Sequence, residues 1–146
     1  MNETQTAKTK WTTKKKVLVV VIAALLLISV PIFAHLFWEI HEAKMALRAF
    51  NQALIAKDYQ RAYNLTTPAL RANVDYAPFV KVQDGLTARV GALRSSDTSE
   101  AEVRDDENGN LATIRARLIF ERGELPFVFV LKKQGGSWLI NSFNEQ

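Results

Sequence analysis

The sequence predicts an α+β domain carried behind one N-terminal transmembrane helix, and three patterns predict it. Val17–Trp38 contains no Lys, Arg, Asp or Glu. The residues after it keep a helical spacing of apolar positions as far as Leu86. Beyond Ser99, apolar and polar residues alternate between turn-forming pairs. Helices followed by strands, rather than alternating with them, indicate α+β.

The chain divides into a basic tail (1–16), a membrane segment (17–38) and a soluble domain (39–146). The apolar run of 22 residues spans about 33 Å as a helix, close to a hydrocarbon core of roughly 30 Å. Pro31 and His35 interrupt its composition, and a proline near the end of a membrane helix is tolerated. Trp11 and Trp38 flank the run, where amphipathic rings favour the interface. Lys14, Lys15 and Lys16 precede it, while Glu39 and Glu42 follow. Positive charge stays inside, which orients a single-pass helix in an inner (cytoplasmic) membrane. The N-terminus is cytoplasmic and the domain extracytoplasmic. A cleaved signal peptide is the competing reading, with Ala34 at −1. Ile32 at −3 disfavours cleavage, so the segment is read as a signal-anchor. A buried core helix is rejected, because so small a domain cannot hide such a run.

In Glu39–Lys57, Ile40, Ala43, Leu47, Phe50 and Leu54 form one helical stripe, and no Gly or Pro separates this helix from the membrane segment. Asp58 is the N-cap of a short helix with Tyr59, Ala62 and Tyr63 inward. Thr67-Pro68 reads as N-cap and N1 of a further turn, Ala69–Asn73. Asp75 caps a third segment, with Pro78 in its first turn, and Phe79, Val82 and Leu86 as its apolar side. Gly85 or Gly91 loosens its end. Ser99–Arg104 is the first strand, turning at Glu107-Asn108-Gly109-Asn110. Leu111–Glu121 follows, with Ile114, Ala116, Leu118 and Phe120 on one face and Arg115 and Arg117 on the other. Arg122-Gly123 turns into Leu125–Leu131, which is apolar on both faces, with Pro126 where no ladder donor is needed. Gln134-Gly135-Gly136 leads to Ser137–Phe143, with Trp138 and Ile140 on one face.

The net charge of +4 belongs to the tail, whose five lysines oppose only Glu3; residues 39–146 carry as many acids as bases. The domain therefore has no excess charge to attract nucleic acid. Without cysteine there is neither a disulfide nor a thiolate site.

Three stretches together are distinctive: "AFNQALIAKDYQRAYNLTTPALRA", then "YAPFVKVQDGL", then "PFVFVLKKQGGSWLINSF". With "KDYQRAY" and the closing "GGSWLI", residues 40–146 resemble the nuclear-transport-factor-2-like (cystatin-like) superfamily. The resemblance is to its small membrane-anchored bacterial members, whose function is unassigned. It implies a cystatin-like roll: an antiparallel sheet curled around helices into a cone, often with a pocket at the wide end. The fold hosts isomerases, dehydratases, binding modules and assembly subunits, so it does not fix function.

The enzymes of that superfamily need a carboxylate or histidine base opposite a Tyr or Asp donor in a dry pocket. His35 and His41 both lie at the membrane edge. Asp58 and Asp75 read as caps, and Asp105-Asp106-Glu107 as a solvated hairpin tip without calcium-loop spacing. Asp84 and Glu102 are the carboxylates least accounted for. No metal-ligand cluster, phosphate loop or cofactor motif is present. Arg115, Arg117, Lys132 and Lys133 are expected on an exposed sheet face, a solvated surface rather than a docking patch. Asn64-Leu65-Thr66 matches a glycosylation acceptor but falls in a helix. The candidate pocket residues are Tyr59, Tyr63, Tyr76, Phe79, Phe127 and Trp138. Core packing is their bland alternative.

The expected function is a membrane-anchored, non-catalytic domain for interaction or assembly with a protein partner in or near the membrane. The alternative is a pocket for a small apolar ligand or lipid, and an enzyme is the third reading. Trp138 is expected against the first helix near Phe50 or Leu54.

Overall fold

The structure, a computed structural model, describes residues 13–106 and 109–146. The tail before Thr13, including Trp11, and Glu107 and Asn108 of the expected hairpin turn lie outside the described residues. The described elements are α1 (Thr13–Ile55), α2 (Tyr59–Asn64), α3 (Pro68–Asn73), α4 (Tyr76–Val90), β1 (Leu93–Asp106), β2 (Gly109–Phe120), β3 (Gly123–Gln134) and β4 (Ser137–Glu145). The chain forms two compact units, one ending at Leu36 and the other spanning Phe37–Gln146.

In the first unit, α1 continues through position 31 without a break. From Val17 to Leu36 the described side chains are exposed, save half-buried Ser29. This makes α1 one helix long and apolar enough to cross a membrane.

The second unit is α+β, with a four-stranded antiparallel sheet in the order β1-β2-β3-β4. One face of the sheet forms the core. Ile114, Ala116, Leu118 and Phe120 of β2, Phe127, Phe129 and Leu131 of β3, and Trp138 and Ile140 of β4 are all buried. The helices complete it with Ala43, Leu47, Phe50, Ala53, Ala62 and Phe79. The period-2 alternation thus selects the core face directly. On β3 only this face is fully buried; Val128 and Val130 are half-buried. Pro126 fits its strand because its carbonyl accepts from Gln146 N at 3.0 Å, past the last residue of β4. Its missing donor therefore falls beyond the ladder. Gly135 and Gly136, at φ 57° and 80°, make the β3–β4 turn that positive φ requires.

Local caps follow the sequence. Asp58 accepts from Arg61 N at 3.0 Å, and Thr67 Oγ1 accepts from Leu70 N at 3.1 Å. The α2–α3 link is tied to β4, where Thr67 N donates to Ile140 O (2.8 Å) and Ile140 N to Leu65 O (2.9 Å). Arg71 of α3 bonds back to Asn64 O at 3.2 Å and to Thr66 O.

Four expectations need correction. The first strand is not Ser99–Arg104 but all of Leu93–Asp106. Its register shifts at Leu93/Ser95 and Thr98/Glu100 destroy the alternation that would mark a long strand. Val82 is 57% exposed, whereas Gln83 is buried. The inward stripe of α4 is Phe79–Gln83–Leu86, spaced i, i+4, i+7. Asp75 occupies the N-cap position of α4, but its side chain makes no cap hydrogen bond. Trp138 is buried, yet the rings around Phe50 are Phe79, Phe129 and Phe143. Trp138 instead lies beneath Lys133 of β3, which reaches Glu39, about three helical turns before Phe50.

Asn51 is 2% exposed, and among the described residues neither its Nδ2 nor its Oδ1 has a hydrogen-bond partner. An unpaired buried amide costs about 1–3 kcal/mol, and leucine repeats its branching without the polar atoms. Asn51→Leu should therefore raise stability by about 1–2 kcal/mol in a denaturant melt of the full chain in micelles. A loss of stability would mean that the amide holds a buried water.

Candidate functional site

At one end of the sheet, α1 and α4 stand off the strands and leave a cavity of about 410 Å³. Phe50 and Leu54 of α1, Leu118 and Phe120 of β2, and Phe127 and Phe129 of β3 form its inner wall. Ile55, Lys57, Tyr59, Val82, Gly85 and Arg89 form its mouth. Ile55 and Val82 are 39% and 57% exposed there, so the apolar lining continues to the opening. Gly85 is helical, and a Cβ built on it would meet nothing within 4 Å.

The mouth carries the charged groups, and among the buried lining residues Gln83 alone is polar. Lys57 stands at φ 57°, and it is the one non-glycine residue with positive φ among the described residues. It ends α1 in a Schellman arrangement: Asp58 N donates to Ala53 O (2.8 Å) and Lys57 N to Leu54 O (3.0 Å). Glycine ordinarily takes this place, since a side chain there costs about 1 kcal/mol. Arg89 pairs with Glu145, which also lines the cavity. Burial pushes the Tyr59 phenol above its ordinary range. The charge of Asp84 adds to this, while a hydrogen bond with Thr87 opposes it.

Of the six residues expected in a pocket, Tyr59 and Phe127 line this cavity. Tyr63, Tyr76 and Phe79 lie outside the lining, with Tyr63 centred 5.4 Å from both others, and Phe79 joins them to Phe50 and Phe143 of the cavity wall. The Tyr63 hydroxyl donates to Val74 O at 2.9 Å, which commits it to the α3–α4 link. Trp138 belongs to the far end of the sheet. Asp84 and Glu102 are both exposed, and Glu102 bonds Arg104 at 2.8 Å. Lys57, Gln83 and Arg89 are cavity residues not anticipated from sequence. Gln83 is legible only as the i+4 neighbour of Phe79. Among the described residues no three His, Asp or Glu converge as a metal site.

The outer sheet face is laced with opposite charges, Arg115 to Glu100 and Arg117 to Glu124. Lys133 is not among them, which corrects its expected place. It shares the parity of Phe129 and Leu131 and so points toward α1. There its Nζ donates to both Glu39 oxygens at 2.7 Å and to Glu42 Oε2 at 3.2 Å. Trp38 Nε1 donates to Glu42 Oε1 at 2.7 Å. The Lys133 ammonium sits 5.8 Å from the Trp138 ring centroid, a cation–π contact. Glu39 is buried.

No protein-family model matches the chain, and no curated protein matches it. Among solved structures, Bd1075 of Bdellovibrio bacteriovorus is similar at a TM-score of 0.49 and 11% identity. The match covers 68% of this chain and 37% of that one, so the chain spans about a third of that protein's length.

The Lys133 cluster sets a pH window. The Trp38 hydrogen bond, with help from Lys133, holds the Glu42 carboxyl below its ordinary range. Its contribution is present above the unfolded value near 4.3 and is lost as pH falls through the lowered one. The hydrogen bond to Glu39 raises the Lys133 ammonium above its ordinary range. That contribution is complete below the unfolded value near 10.4 and is lost as pH rises through the raised one. Stability of the full chain in micelles should fall at both extremes. Lys133→Met should lower stability at neutral pH and flatten the alkaline limb relative to the unsubstituted chain. An unchanged alkaline limb would show that the ion pair contributes nothing.

Proposed function

We propose that the chain is a membrane-anchored pocket module that binds a small apolar ligand outside the cytoplasm of a bacterium. The carrying observation is the apolar cavity between α1, α4 and the sheet, within the usual ligand-pocket range of about 300–1,000 Å³. Its open end supports reading the unit as a cystatin-like roll of the nuclear-transport-factor-2-like superfamily. The exposed apolar length of α1 supports an anchor that crosses the cytoplasmic membrane, because so large an apolar surface is not left in water. Lys14–Lys16 support a cytoplasmic N-terminus. In this reading the domain binds rather than catalyses: Asp84, the carboxylate beside Tyr59, is exposed, and among the described residues no buried His, Asp or Glu lines the cavity.

Interaction with a protein partner is the second reading, favoured by β1. This strand lies at the edge of the sheet, and among the described residues no strand pairs with its outer side. Asp97, Glu100, Glu102 and Arg104 along it resist addition of another strand, so the pocket reading stands first.

A reporter enzyme active only outside the cytoplasm, fused after Gln146, should be active. Activity from a cytoplasm-specific reporter alone would reverse the proposed topology.

The pocket itself is tested with a neutral long-chain alcohol bearing a mid-chain diazirine, photolysed with the full chain in vesicles. Labelled peptides should include Phe50, Leu118 and Phe129. Gly85→Trp places an indole in the mouth and should suppress this labelling severalfold, leaving that of Val17–Trp38 unchanged. Gly85→Ala should preserve labelling while favouring the helix by about 0.5–1 kcal/mol. Labelling of the apolar helix alone in the unsubstituted chain would exclude the pocket.

A further inference from the structure

We infer that the cavity takes a single-chain carboxylic acid in its free form, with the hydrocarbon chain against Phe50, Leu118 and Phe129 and the carboxylate at Lys57 and Arg89. This rests on the pocket reading and names its ligand class.

The division of the lining is the first support. Aromatic and aliphatic side chains hold the interior beside one buried amide, that of Gln83, while the charged groups, Lys57, Arg89 and Glu145, stand at the exposed mouth. Such a site suits a molecule with an apolar body and one polar end.

The sign of that end follows from the mouth. Arg89 already grips a carboxylate, that of Glu145, so a carboxylate fits there sterically. The guanidinium has five N–H donors, more than one carboxylate uses. Glu145 is matched by Arg89, and Asp84 stands against Tyr59 on the α4 side. Lys57 remains as the mouth charge without an ion pair among the described residues. It also occupies a left-handed position where glycine would be less strained, so a side chain is retained at a conformational cost.

Size selects a single-chain acid over a two-chain bilayer lipid. A cavity of about 410 Å³ is near the small end of ligand pockets and takes one chain rather than two.

The test pairs two probes with the same diazirine-bearing chain, one a C16 carboxylic acid and one the C16 alcohol. Each is photolysed with the full chain in zwitterionic vesicles, and the labelled peptides are mapped. Labelling of cavity peptides by the acid should exceed that by the alcohol roughly threefold to tenfold, the scale of two partly exposed ion pairs. Lys57→Gln and Arg89→Gln should each reduce that ratio, and together bring it to about one. Lys57→Arg should keep it, showing that charge rather than folding is at issue. Equal labelling by both probes in the unsubstituted chain would overturn the acid and leave the apolar pocket standing. Cavity labelling by neither probe would overturn both.

Discussion

Phe50 has no exposed surface, and its ring is centred 6.5 Å from Phe79, 6.3 Å from Phe129 and 5.9 Å from Phe143. Through these contacts one side chain of α1 touches α4, the inner strand β3 and the edge strand β4. Rings in tilted and edge-to-face arrangements at these separations each add about 0.5–1.5 kcal/mol beyond their buried area. The consequence is geometric as well as energetic. Rings of this bulk hold the helices away from the sheet, and the space beyond Phe50 stays open because Leu54 and Ile55 alone do not fill it. The same cluster that fastens α1 to the sheet also forms the inner wall of the cavity.

The two ends of the domain differ as a result. At the Glu39 end a lysine, two glutamates and two tryptophans occupy the junction of α1 with the β3–β4 hairpin. Hydrogen bonds among Lys133, Glu39, Glu42 and Trp38 satisfy most of the buried charge there, which is what a partly buried ion pair needs to be tolerated, while Trp138 contributes its ring face. At the Ile55 end the charged groups face outward around an interior that is apolar except for the Gln83 amide. The sheet thus has a closed polar junction at one end and an open cavity at the other, which is where the proposed ligand binds. The junction fixes the β3–β4 hairpin to α1, while α4 at the other end packs its Phe79 side inward and leaves Gly85 at the opening.

Much of this was legible in the sequence. The stripe Ala43–Leu47–Phe50 follows from helical spacing, and the core faces of β2 and β4 follow from strict alternation, because burial enforces both periods. The caps at Asp58 and Thr67 are local chemistry and need no tertiary information. What failed to show depends on contacts between distant segments. The strand β1 carries Ser, Asp and Glu with two register shifts, so pairing with β2 defines it rather than its own pattern. Val82 looked like core because it is apolar, but the seat of Phe79 fixes the rotation of α4. The charge of Lys133 suggests the solvent face, although its parity with Phe129 and Leu131 places it inward.

The cavity was the least legible feature, and the reason is physical. A pocket is an unfilled volume, and no local pattern encodes where side chains from four elements fail to meet. Aromatic residues on helices were the natural candidates, but an aromatic side chain fills space more often than it lines space. Tyr63 illustrates this: its ring packs on Tyr76 and Phe79, and its hydroxyl bonds Val74 O. The better sequence signals were small or strained positions. Gly85 inside an otherwise helical pattern removes a side chain where one would fit, and Lys57 stands where a helix usually ends on glycine. Each is a local departure from the cheapest choice, and both departures meet at the same opening. In the proposed reading, the space left at Gly85 and the charge held at Lys57 serve one ligand, which enters between them.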